Sequence, residues 1–451
     1  METPLLQNPE IAEIALQLFP SINDQVNGSI PAIENKTAPE ELNPAFTSRR
    51  RDMKLPYSLR LPCSLAKKSV ACPCGFVLAL LSLLVGAGCG SSQSNSGSPA
   101  ALKIVNATDM GAISTNPDIL GRDGAYSALF QGFSVWLYGD TFLAKPNADD
   151  FTLISNSWSY TTDLNAHDGI TGFQERPDSS GAPSMILTLT PVELAFNLAH
   201  SGNPCQEQPC GKRWALWPAS IVSDPTRDQA LIFYMVVSAQ PGDFNFQAVG
   251  SSVALWQSFQ QTPQRPTFNP PIVPNHADLM FNDSQPNFGT ASLIQKGTLY
   301  VYGCGTSING ADKGCRLARV SPGEAQNLNA WTFYSGNGNW SPQINDAVSV
   351  FTGSSIISVG WNSFLQQYVA VYSRPLSQNV VIRSSPNPEG PWSGELVAFV
   401  AMQPVSGKVY DAHAHSEYDM NGGQTIFVTY SRSTGTFTSE VRLVSLTLQA
   451  R

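Results

Sequence analysis

The strongest constraint on how this chain folds is a two-strand pattern written five times. Five segments of alternating or β-branched residues end on a tyrosine: Val135-Trp-Leu-Tyr138, Leu231-Ile-Phe-Tyr234, Leu299-Tyr-Val-Tyr302, Val369-Ala-Val-Tyr372 and Phe427-Val-Thr-Tyr430. Upstream of each runs a short segment rich in small residues: Gly124–Leu129, Trp217–Val222, Phe288–Leu293, Ser355–Gly360 and Ala412–Glu417. The connections carry turn chemistry, such as Gln131-Gly132, Asp224-Pro225 and Asn421-Gly422-Gly423. Alternation bounded by Gly, Asn and Pro is the signature of paired strands. A repeat too small to bury its own apolar face must pack against its neighbours. Five units with tyrosines 58 to 96 residues apart predict an all-β chain, a five-bladed β-propeller over residues 100–451. The small first strands suit a crowded axial channel, and the aromatic second strands pack between blades. A β-sandwich is the competing architecture, and it leaves the repeat unexplained. Residues 240–285 read as long loops on one face, and no helix of any length is required after residue 100.

The segment before the propeller has a different character. Gly75–Gly88 is the one long apolar run, and at 14 residues it is shorter than the roughly 20 needed to span a bilayer. Lys54, Arg60, Lys67 and Lys68 precede it; Cys89 and the polar tract Gly90–Pro99 follow. A basic start, a short apolar core and small residues make a secretory signal. A cysteine directly after them resembles a bacterial lipobox, in which the thiol is lipidated. The expected organisation is therefore an extension over 1–52 upstream of a start at Met53, and a lipoprotein signal over 53–88. A lipidated Cys89 and flexible tether follow over 89–99. This makes the protein exported and membrane-anchored by lipid. Gly90 after the cysteine favours the outer membrane where the cell has two.

The eight cysteines sort accordingly. Cys63, Cys72 and Cys74 fall in the signal segment. Cys205 with Cys210 and Cys304 with Cys315 remain, each pair close in sequence and set in what reads as a loop, so two local disulfides are expected. A metal site is the alternative reading, but no His lies near either pair at ligand spacing. The chain has 26 basic against 34 acidic residues, which speaks against nucleic-acid binding. No cofactor motif is present, and a monomer is expected.

The chemistry is sought around the axis, where a ring of blades leaves its funnel. Asp123 precedes the first small-residue strand and Asp140 ends the strand that follows it. If the two form a hairpin, both carboxylates stand on one rim. Asp411 and Glu417 flank the last inner strand, with His413 and His415 between them, and the closing blade brings them toward the same funnel. Carboxylates around a sugar-sized pocket are what glycoside hydrolysis requires: one protonates the leaving oxygen and the other attacks carbon or activates water. Turn capping is the competing role for each Asp, and a structural role for each His. Trp214, Trp217 and Trp361 border inner strands and offer stacking faces. No nucleophile elbow and no phosphate-cradling loop occurs.

Gly121-Arg-Asp-Gly-Ala-Tyr-Ser127 followed by Leu137-Tyr-Gly-Asp-Thr-Phe142 resembles the opening of a family of secreted bacterial domains, described as glycosyl-hydrolase-like five-bladed propellers and long labelled a domain of unknown function. Phe288-Gly-Thr-Ala and Leu299–Gly303 are similar to its third blade. Some members are endo-acting D-arabinan hydrolases. The resemblance implies a glycoside hydrolase acting on a polysaccharide, with Asp123 and Asp140 as catalytic carboxylates and Glu417 as a third acidic candidate. Arg122, Trp217, Trp361 and His415 are the candidate substrate-binding residues. The chain departs from the family pattern at Ala125, where a second Gly is frequent, and at Ser416, where Pro is common.

Overall fold

The computed structural model describes residues 102–450 except 115, 242–244, 308–312 and 406–408. The extension, the signal segment and Cys89 with its tether lie outside the described residues.

The chain opens on β1 (Leu102–Ala112) and then lays down five antiparallel sheets in order. Blade 1 holds β2 (Ile119–Phe130), β3 (Phe133–Leu143), β4 (Leu153–Ile154), β5 (Ser157–Thr161) and β6 (Gln174–Glu175). Blade 2 follows a helix, α1 (Pro191–Ala199), and comprises β7 (Arg213–Asp224), β8 (Gln229–Ala239), β9 (Phe246–Trp256) and β10 (Phe281–Asn282). Blade 3 is built from β11 (Phe288–Gln295), β12 (Thr298–Ser307), β13 (Lys313–Val320), β14 (Thr332–Gly336), β15 (Asn339–Ser341) and β16 (Ser349–Gly353). Blade 4 has β17 (Ser358–Asn362), β18 (Gln367–Ser373), β19 (Asn379–Ser385) and β20 (Leu396–Val400). Blade 5 has β21 (Tyr410–Ala414), β22 (Thr425–Ser433) and β23 (Ser439–Ala450), and β1 returns to pair with β23 as its fourth strand. The start of the domain thus closes the last blade. The close fit at this seam shows at Gly121, where a Cβ would lie 2.7 Å from the Ser439 backbone nitrogen.

The five repeated tyrosines occupy one equivalent place, on the second strand of each blade. All are fully buried, and each hydroxyl finds a partner: Tyr138 with Ser159, Tyr234 with Asp278, Tyr302 with the Pro388 carbonyl, Tyr372 with Glu395, and Tyr430 accepting from the Met402 N–H. A ring that fills the gap between sheets and a hydroxyl that reaches the blade edge explain why Tyr recurs there. The small residues of the first strands let neighbouring blades touch near the axis. Ser220 Oγ donates to the Gly289 carbonyl at 2.7 Å, and Ser358 Oγ accepts from the Ala414 N–H at 2.9 Å.

Several expectations need correction. Residues 240–285 are not all loop, because β9 supplies a full strand; both of its faces are largely buried, which erases the polar contrast that marks a strand. A helix does occur: Thr190 and Glu193 form a reciprocal capping box, with Pro191 in the first turn, which is a helix start. The last inner strand stops at Ala414, and Ser416–Tyr418 turn as a 3-10 helix. Both disulfides are formed. Cys304 and Cys315, however, sit on strands and face each other across β12 and β13, where only Cys205 and Cys210 occupy a loop.

Ala125 has φ of 83° and is completely buried. A Cβ in the left-handed region is strained, so Gly fits this position better than Ala. Ala125→Gly is expected to stabilise the domain by about 1 kcal/mol, read as a higher urea midpoint at unchanged slope. A lower midpoint would refute the strain at this residue.

Candidate functional site

Inner strands of a propeller run along the axis, so the residues at their starts and at their ends open on opposite faces. The start of β2 and the end of β3 meet on one face. There Arg122 pairs with Thr141 and Gly124 with Tyr138, with register shifts on either side of Gly124. Asp123 and Asp140 therefore stand on one rim, as the hairpin argument requires.

The two carboxyls live in different surroundings. Asp140 is buried and has both oxygens occupied: Trp217 Nε1 donates to Oδ1 at 2.9 Å and Arg213 Nη2 to Oδ2 at 2.7 Å. Both donors come from β7, the inner strand of the next blade. Asp123 has one weak side-chain partner, the Tyr410 hydroxyl at 3.3 Å from Oδ2. Its burial, then the negative charges of Asp140 and Asp411, hold its carboxyl well above the usual carboxylate range. One carboxyl is kept toward its protonated form beside another whose oxygens both accept from donors, one of them a guanidinium, a division that acid–base chemistry uses. Gly139 makes the close approach possible, since a Cβ there would lie 2.3 Å from Asp123 Oδ1.

Asp123, Tyr126, Gly139 and Trp217 line a cleft of about 990 Å³, counted to its open mouth, together with Asn282, Asp283, Gln285 and Asn287. Asp140 does not itself line the cleft; its carboxylate is held by Trp217, which does.

Other candidates fall elsewhere. Glu417 does not join the pair. Its Oε1 accepts from Ser127 Oγ at 2.5 Å and Ser134 Oγ at 2.9 Å, and Ser134 lies six residues before Asp140 on β3, about 20 Å at the rise of a strand. Glu417, Asp419, His413 and Trp361 line a second cleft at the far ends of the inner strands. His415 is wholly buried, bonded to Ser127 and Thr429 and stacked on Trp136 at 4.2 Å, and burial keeps its ring neutral. Arg122 is also interior, paired with Glu175 at 3.0 Å and lying 3.5 Å over the Tyr138 ring. Among the described residues no group of three or more His, Cys, Asp or Glu is placed to hold a metal ion.

Three residues of the rim escaped the sequence reading as site members: Arg213, Tyr410 and Gly139. Arg213 carried a usable signal, since it begins an inner strand and inner strands begin at the Asp123 face.

The far cleft yields its own prediction. Asp419 is pushed up to about 7 by burial and then by the charge of Glu417. A raised carboxyl stabilises the fold below its unfolded value of about 4, and that contribution is lost as pH rises through about 7. Asp419→Asn should therefore raise stability by about 2 kcal/mol at pH 8 and change little at pH 4. Thermal melts showing the same difference at both pH values would refute the assignment.

A family described as a domain of unknown function (DUF4185) matches residues 99–435. The chain belongs to this family. The matched span contains both the Gly121–Ser127 and the Leu137–Phe142 motifs. No curated protein matches. Among solved structures, the chain is similar to a putative hydrolase from Bacteroides ovatus, at 13% identity and TM-score 0.47, covering 74% of this chain and 86% of that one. It is similar to a family 117 glycoside hydrolase from Zobellia galactanivorans at 12% identity and TM-score 0.42, over 77% and 90% of the two chains. A GH43_1 enzyme from Xanthomonas citri aligns at 12% identity and TM-score 0.40, over 74% and 90%.

Proposed function

We propose that this propeller is a glycoside hydrolase acting on a polysaccharide, with Asp123 and Asp140 as its carboxylate pair. The observation that carries the reading is the contrast between the two groups. Asp123 borders an open cleft with its proton held on by burial and by Asp140. Asp140 has both oxygens held, one by the Arg213 guanidinium and one by the Trp217 N–H. Protonation of the leaving oxygen falls to Asp123, and attack on the sugar carbon or activation of water to Asp140 once Trp217, which lines the cleft and donates to it, releases that oxygen. The motif resemblance points to an arabinan-like or other furanosidic glycan. Trp217 offers the cleft an aromatic wall against which a sugar ring packs. Lipidation at Cys89 would hold the enzyme on the cell envelope, at the outer membrane where there is one, as a monomer.

The test is the full-length chain assayed against arabinans, galactans and xylans for release of reducing ends. Turnover of an arabinan-like glycan is the expected result. Glycan binding without turnover would favour the second reading, a propeller that recognises a surface polysaccharide and leaves it intact. Palmitate labelling that persists in Cys89→Ser would overturn the anchor.

A further inference from the structure

Asp123 sits on a piece of backbone that its own sheet does not hold. The β2–β3 ladder slips on both sides of Gly124, and Gly124 and Ala125 take φ of 91° and 83°. The Gly124 N–H points out of the blade and donates to Asp411 Oδ2 at 2.6 Å, across a separation of 287 residues in sequence. Asp411 is itself in the left-handed region, with φ of 52°, and is fixed by the Ser431 N–H on Oδ1 and the Ser431 hydroxyl on Oδ2, both at 2.8 Å. Its neighbour Tyr410 sends its hydroxyl to Asp123 Oδ2. Two adjacent residues of blade 5 thus grip two adjacent residues of blade 1. Strained backbone on both sides of one contact marks a place that the surrounding structure has to enforce.

We propose that Tyr410 and Asp411 are positioning residues for the Asp123 carboxyl, Asp411 by clamping the backbone that follows it and Tyr410 by holding one of its oxygens. The proposal rests on the reading of Asp123 as proton donor. The Asp411 carboxyl accepts from three donors and offers none; burial nevertheless pushes it up to about 7, so its charge acts on Asp123 above that pH. Asp411 and Tyr410 then act on Asp123 in opposite senses. The charge of Asp411 disfavours ionisation of Asp123, whereas the Tyr410 hydroxyl favours it by donating to the carboxylate. The other groups facing Asp123 are Asp140 on β3 and Tyr126 on its own strand, with Asp283 lining the same cleft.

A donor that must be protonated loses activity as pH rises, so Asp123 sets the alkaline limb of kcat/KM. Asp411→Asn should move that limb to lower pH and Tyr410→Phe to higher pH, each by about one unit, with kcat falling about tenfold in Asp411→Asn. A merely structural loss would lower activity in both variants and leave the limb in place. Carbon-13 titration of the Asp123 carboxyl in the full-length chain, assigned with Asp123→Asn, reads the same two shifts without needing a substrate. Opposite displacements in the two variants support the clamp. Unmoved titrations, or displacement of both in one direction, overturn it. Opposite displacements with no turnover on any glycan would keep the clamp and remove the hydrolase reading. Should Asp411→Asn fail to fold, Tyr410→Phe decides alone: an unmoved or lowered Asp123 titration overturns the proposal.

Discussion

Asp123→Asn is expected to lower turnover about 10³-fold while making the folded domain more stable at alkaline pH. The loss follows from removing the proton that the leaving oxygen needs. The gain follows from the same burial that keeps the proton on. With its folded value raised by burial and by Asp140 and Asp411, Asp123 contributes stability below the ordinary carboxylate range, and that contribution is lost as pH rises through its folded value. Asn is neutral at every pH and nearly isosteric, so it avoids the cost of ionising in place. Asp140→Asn should behave differently. It leaves the Arg213 guanidinium, now 2.7 Å from a carboxylate, facing an amide, and removal of one partner from a largely buried ion pair costs about 3 kcal/mol. Activity should fall in both variants, but only Asp140→Asn should melt lower at pH 8. If Asp123→Asn also melts lower at pH 8, Asp123 is not held protonated, and the division of labour between the carboxyls fails.

The parts of the fold that could be read in the sequence are those where one residue type answers one local demand. A tyrosine recurs in five second strands because each gap between blades needs a large ring and each blade edge offers a partner for its hydroxyl. The Asp123–Asp140 pairing was legible because a hairpin fixes which ends meet. What failed was direction along the axis. Asp411 and Glu417 bracket both histidines in sequence, yet Asp411 lies near the start of β21 and Glu417 in the 3-10 turn beyond its end, which carries one toward each face. Asp411 reaches Gly124 on the Asp123 rim, whereas Glu417 binds Ser127 and Ser134 toward the other end. The rule that an inner strand runs from one face to the other would have separated them and promoted Arg213. β9 stayed hidden for another reason. Its central Gly250-Ser-Ser-Val-Ala254, paired edge to edge with β8 and β10, is buried on both faces, and a strand with two inner faces has no alternation to read.

Gly139→Ala should lower turnover about 100-fold without unfolding the domain, because the methyl group competes for the place of the Asp123 carboxyl. The new Cβ would lie 2.3 Å from Asp123 Oδ1, and its next nearest neighbour is the carboxyl carbon of the same residue at 3.5 Å. The atom that must yield is therefore the end of one side chain and not backbone. Gly139 is absent from the glycines with positive φ, so the Ala backbone itself carries no strain. A displacement on the order of 1 Å moves the proton donor out of line with a glycosidic oxygen, and errors of that size cost about 10² in rate. Gly360→Ala is the matched control: it adds a methyl on β17 that meets nothing within 4 Å and should leave both turnover and melting temperature unchanged. Because the damage in Gly139→Ala falls on alignment and not on substrate contacts, kcat should fall more than KM rises. Full activity in Gly139→Ala would mean that the Asp123 carboxyl moves freely, and that its burial against Gly139 has no part in the reaction.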